Sequence, residues 1–167
     1  ETAVLCGAPW FEGVFAQLIA RRFATARALA NEGVEVAICG RDEVSLDAAA
    51  TRIGAVGLVA DVSDAEGAHG FVRDAHAALG GLDILVTNAG GPPPGRFADV
   101  SDPEEYRRAF ELNCLSIIAM CAEAVPLMQA QQWGRVLAIT SIAVFMVTLD
   151  NGEVRTADVR DANLTTA

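Results

Sequence analysis

Residues 82–91, Leu-Asp-Ile-Leu-Val-Thr-Asn-Ala-Gly-Gly, constrain this chain more than any other stretch. A short apolar run ends abruptly in a polar turn that carries two glycines. An apolar run without polar alternation fits a strand covered on both faces, the environment of a parallel sheet between helix layers. A glycine-bearing turn at the carboxyl end of such a strand lets the backbone approach a ligand closely. The rest of the chain repeats the strand half of this pattern. Apolar runs at 2–6, 34–39, 56–60, 84–87 and 136–140 alternate with helix-period segments near 14–31, 43–52, 64–79 and 102–131. Such alternation predicts βαβ units, and right-handed crossovers wind them onto both faces of one sheet.

The expected fold class is therefore α/β: a Rossmann-like doubly wound parallel sheet in three αβα layers, with about five strands and a C-terminal hairpin or irregular tail. Local signals agree. Ala68, Phe71, Val72, Ala75 and Leu79 form one apolar stripe, and Gly80-Gly81 stops that helix. Ser101 and Glu104 have capping-box spacing, with Pro103 in the first turn. Tyr106, Phe110, Ile117, Cys121, Ala124 and Met128 then follow on one face, and Pro126 should kink the helix near its end. Residues 1–144 read as one domain. Residues 145–167 are atypical: a strand-like 145–149, then Asp-Asn-Gly-Glu at 150–153, then an alternating 154–159. Asn-Gly between two such runs signals a hairpin.

Charge narrows the function. The net charge is −10 and the pI about 4.5. A nucleic-acid partner needs a basic face, so none is expected. A small anionic ligand held by backbone N–H groups is compatible with this charge. No single apolar run reaches the length of a membrane span, so no membrane partner is expected either. Cys6 and Cys39 fall in strands, and Cys114 and Cys121 on a helix, with no C-x-x-C pair. They read as small core thiols in a reducing, cytoplasmic compartment. His69 and His76 sit on a helix without a Cys or His partner nearby, so solvation is expected and no metal site.

Several chemistry-bearing positions occur in a telling order. Asn88-Ala89-Gly90 ends the fourth strand, Arg41 follows Gly40 after the second, and Asp61-Val62 follows the third. Asn113 interrupts the apolar stripe of the fourth helix, and Ser141 ends the fifth strand in Ile-Thr-Ser. Over residues 24–144 this order resembles the short-chain dehydrogenase/reductase family. The Gly90-Gly91-Pro92-Pro93-Pro94-Gly95 loop is similar to its 3-oxoacyl-carrier-protein reductase-like branch. The resemblance implies a bound NADP or NAD. Arg41 would pair with the 2′-phosphate of NADP, Asp61 and Val62 would meet the adenine, and Asn88, Ala89 and Gly90 would form the cofactor-side turn. Asn113 would anchor a water chain, and Ser141 would hydrogen-bond the substrate carbonyl. Gly7 and Gly13 match the outer two glycines of the phosphate-binding loop, while Phe11 stands at the middle position, where backbone must approach a pyrophosphate.

The family's Tyr-x-x-x-Lys pair is missing. The chain has twelve arginines and no lysine, and its one tyrosine, Tyr106, precedes Ser141. At the family's spacing the two positions hold Val154 and Asp158. Valine has no proton to give, and aspartate has the wrong sign to lower a phenol pKa. Three readings follow. One is an NAD(P)-dependent oxidoreductase moving hydride to or from a small-molecule carbonyl or alcohol, 3-oxoacyl-like in class. Another is an inactive relative, incomplete or altered at both ends, that at most binds nucleotide. The last is an acidic interaction module that pairs with a second copy through its fourth helix.

Overall fold

The computed structural model describes residues 1–6, 16–88, 102–139, 146–150 and 153–157, with backbone alone at 16–22 and in the last two segments. Five strands run in the order of the chain: β1 (Thr2–Cys6), β2 (Glu35–Gly40), β3 (Val56–Val59), β4 (Ile84–Thr87) and β5 (Arg135–Ala138). They form one parallel sheet in the spatial order β3-β2-β1-β4-β5. Every residue of β1 is buried, as a central strand with helices on both faces requires. The helices are α1 (Ala16–Asn31), α2 (Glu43–Ile53), α3 (Ala65–Leu79), α4 (Pro103–Phe110) and α5 (Ser116–Ala130).

Strand side chains alternate between two cores. Ala3, Leu5, Val36, Ile38 and Val86 pack with Ala26 of α1 and with Leu46 and Ala50 of α2. Val4, Cys6, Ala37, Cys39 and Leu85 pack with Phe71 and Val72 of α3 and with Met120 and Ala124 of α5. This is the doubly wound, three-layer arrangement expected from the alternation of runs.

The fourth helix departs from its expected form. It is capped by Asp102, whose Oδ1 accepts from the Glu104 N–H at 2.9 Å, and not through the Ser101 spacing. Ser101 itself lies outside the described residues. A π turn, Glu111–Leu115, then separates α4 from α5. A wider turn inserts a residue and rotates everything downstream. The stripe read across 106–128 is therefore split. Ala124 and Met128 are buried, whereas Tyr106 and Phe110 are exposed. Joined through the π turn, Pro103–Ala130 makes 28 helical residues, long and apolar enough to cross a bilayer by length and composition. The sequence predicts a helix of this length over 102–131 but no apolar run long enough to span a membrane. The α5 half lies against α3 through Ala119, Met120, Ala124 and Met128.

Two cysteine readings also change. Cys6 and Cys39 are buried, but Cys114 and Cys121 are only half-buried, because the inserted turn displaces that face. Burial still pushes the Cys121 thiol above its ordinary pKa, so it stays protonated at neutral pH. Downstream, Met146–Asp150 (β6) pairs antiparallel with Glu153–Ala157 (β7) in a separate two-stranded sheet.

The end of α5 supports a stability prediction. The Trp133 N–H bonds the Met128 carbonyl and the Gln132 N–H bonds that of Gln129, both at 3.1 Å. These are the paired bonds of a Schellman cap. The left-handed residue here is Gln132, at φ 59°, whereas Gly33, Gly54 and Gly80 take that conformation after α1, α2 and α3. A Cβ in this region costs about 1–2 kcal/mol, and glycine's extra backbone entropy returns about 0.5–1 kcal/mol of that. Gln132→Gly should therefore stabilise by roughly 0.5–1 kcal/mol. Urea denaturation should show a higher midpoint at unchanged slope; a lower midpoint would contradict the cap assignment.

Candidate functional site at the carboxyl edge of the sheet

From β1 the chain winds outward through β2 to β3, then crosses back to β4 and β5 on the other side. Sheets of this kind bind ligands outside the carboxyl ends of the strands, where the winding reverses. Here the reversal lies between β1 and β4, whose last paired residues are Cys6 and Thr87. The turns after the strands gather at the same edge. The Ala60 N–H reaches the Gly40 carbonyl at 3.0 Å and the Ile139 N–H reaches that of Thr87 at 2.8 Å. Arg41, Asp61, Val62 and Asn88 all follow these last rungs. Among the sequence-derived site residues, Gly7, Gly13, Ala89, Gly90 and Ser141 lie outside the described residues, as does Phe11.

Arg41 and Asp61 meet. Parallel pairing of Gly40 with Val59 puts the two following turns side by side, and Arg41 Nη1 lies 3.3 Å from Asp61 Oδ2. Asp61 also accepts the Ser63 N–H through Oδ1, at 2.9 Å. Partial burial pushes the Asp61 carboxyl upward, but the hydroxyl and N–H of Ser63, together with Arg41, outweigh it, so its pKa falls below the usual 3.8. A carboxyl lowered on folding adds stability above its ordinary pKa and loses it as the pH drops through the folded value. This pair therefore holds at neutral pH and lets go only below about 3.8. Asp42, the acid next to Arg41, is turned away: its Oδ1 caps α2 by accepting the Ser45 N–H at 2.8 Å.

The turn after β3 is held from below. Asp64 caps α3 by accepting the Gly67 N–H at 2.8 Å, and a Cβ added to Gly67 would collide with the Asp61 carbonyl. Ser63 and Gly67 were not singled out from the sequence, although Asp-x-Ser and Asp-x-x-Gly spacings are visible turn and cap signals. Val62 is 2% exposed and its side chain belongs to the core. Asn88 is also buried, at 6%.

Asn113 lies elsewhere, in the π turn, half-buried. Its Nδ2 donates to the Ala109 carbonyl at 2.6 Å, a bond back along its own helix. π turns recur at functional positions in helices, and this one carries the residue that the sequence had marked. Tyr106 is exposed on α4. His69, expected to be solvated, instead places Nδ1 3.1 Å from Glu123 Oε2 and links α3 to α5. That contact joins residues 54 apart in sequence and needs the helix packing to exist. No group of three or more potential metal ligands occurs among the described residues. The carboxyl edge thus carries a guanidinium after β2, a carboxylate after β3 and the buried Asn88 after β4, groups that can hydrogen-bond a polar or anionic ligand.

Residues 22–151 match the family model for short chain dehydrogenases. The chain belongs to the short-chain dehydrogenase family. It is 34% identical over 124 residues to an uncharacterized oxidoreductase of Bacillus subtilis, covering 72% of this chain and 46% of that protein. It is 33% identical over 129 residues to the human dehydrogenase/reductase SDR family member 4, covering 74% and 46%. The TT0495 protein of Thermus thermophilus superposes with a TM-score of 0.69 at 32% identity, over 86% of this chain and 57% of that one. The chain thus spans about half the length of the curated family members it matches.

Proposed function

We propose that this chain forms the dinucleotide-binding side of an NAD(P)-dependent short-chain dehydrogenase that moves hydride between nicotinamide and a small-molecule carbonyl or alcohol. The observation that carries this reading is the gathering of Arg41, Asp61, Val62 and Asn88 at the carboxyl edge beside the β1–β4 reversal. Arg41 and Asp61 would hold the adenosine, and the backbone of Asn88, Ala89 and Gly90 the cofactor-side turn. The nicotinamide, when bound, supplies the hydride. Asn113 would anchor water, and Ser141 would donate to the carbonyl. A 3-oxoacyl-like substrate rests on the Gly90–Gly95 loop sequence alone. A second copy against α4 and α5 belongs to the same proposal, since Phe110, Leu115 and Ile118 are exposed there.

A specific observation favours a narrower form, binding without turnover. The chain has no lysine, and Tyr106 precedes Ser141. General acid–base help contributes about 10²–10⁴-fold, and positioning a cofactor does not replace a missing proton donor. Phe11 at the pyrophosphate position should also weaken binding, to about −5 to −6 kcal/mol. Calorimetry with NADPH and NADH should therefore show high-micromolar binding, while NADPH oxidation with β-keto esters or quinones stays far below about 1 per second. Ordinary turnover would refute the narrower form. No binding at millimolar nucleotide would refute both forms.

A further inference from the structure

A 2′-phosphate is best gripped by a guanidinium that offers two parallel N–H groups. In this structure a carboxylate already engages the fork: Arg41 Nη1 faces Asp61 Oδ2 at 3.3 Å. The acids flanking the pair do not share that role. Asp42 and Asp64 each cap a helix at 2.8 Å, so among the described residues Asp61 is a carboxylate that meets the guanidinium. A 2′-phosphate entering here must draw Arg41 away from Asp61 or sit beside a like charge, and either costs affinity. A 2′-hydroxyl meets no such penalty and can donate a hydrogen bond to a carboxylate.

Resting on the nucleotide reading above, we infer that Asp61 is a specificity-determining residue. It holds Arg41 back from a 2′-phosphate and turns the site toward dinucleotides with a free 2′-hydroxyl. Its effect passes through Arg41, across two turns that only the β2–β3 register brings together.

The test uses the full 167-residue chain and two fragments, 5′-AMP and 2′,5′-ADP, by calorimetry. Asp61→Asn keeps an acceptor for adenine but removes the charge. It should raise the affinity for 2′,5′-ADP relative to 5′-AMP about fivefold, the scale of a partly exposed ion pair. In Arg41→Gln/Asp61→Asn the gain over Arg41→Gln alone should vanish. Both side chains are partly exposed, at 32% and 45%, and melting curves check that each variant folds. No gain in Asp61→Asn, or an equal gain without Arg41, overturns the inference while nucleotide binding itself stands. If neither fragment binds any variant, the nucleotide reading falls and this inference with it.

Discussion

Gly67→Ala is expected to destabilise the domain by about 2–4 kcal/mol. The sign is the informative part. Inside a helix this change ordinarily stabilises by about 1 kcal/mol, because alanine has the better helix propensity. At Gly67 the added Cβ would land on the Asp61 carbonyl, which is backbone and cannot rotate aside. Either α3 moves away from the sheet or the turn at Asp61–Ser63 gives way. Gly70, one turn later in the same helix, is the control. Its nearest neighbour would be Arg73 Nη2 at 3.9 Å, so Gly70→Ala should stabilise by roughly 0.5–1 kcal/mol. Opposite signs from two glycines three residues apart would verify the close approach of α3 to the turn after β3. A stabilising Gly67→Ala would show that the helix start lies elsewhere.

Asp83→Ala should cost about 1.5–3 kcal/mol. Asp83 stands at the opposite edge of the sheet and ties three elements together. Its Oδ2 accepts the Thr2 N–H at 2.7 Å and the Thr2 hydroxyl at 3.1 Å. Its Oδ1 accepts Gln131 Nε2 at 3.1 Å, and its carbonyl takes the Arg135 N–H at 2.8 Å. Alanine leaves the backbone bond but strips the start of β1 of its acceptor, and an unmade bond to a buried donor costs more than a made bond is worth. Asp83→Asn keeps one acceptor oxygen and should lose about half as much. Denaturation midpoints of the two variants separate charge from geometry: equal losses would mean that the charge, and not the acceptor, matters.

The parts of this molecule legible in its sequence are those specified locally. Strand β4 was readable because a short apolar run and its glycine stop sit next to each other in the chain. The same holds for β1 and for the stripe of α3. The doubly wound arrangement followed from alternation and crossover handedness, whereas the strand order came from the structure. Contacts set by packing were not readable. Arg41 and Asp61 each looked like a cofactor residue, but that they pair depends on which rung of β2 faces which rung of β3. His69 and Glu123 meet because two helices lie side by side. The π turn at Glu111–Leu115 escaped because its composition is that of an ordinary helix, and an inserted residue shifts a face without changing its periodicity on either side. The capping acid of α4 was missed by one position, since Ser101 and Asp102 are both competent caps and the geometry decides between them.

The central claim is that a nucleotide sits at the carboxyl edge of the sheet, and amide chemical shifts locate it directly. Titrating the isotopically labelled chain with NADH should move the resonances of Arg41, Asp61, Val62 and Asn88, while Thr2, Asp83 and Gln131 at the amino edge stay in place. Shifts confined to the amino edge, or none at millimolar NADH, would contradict the account.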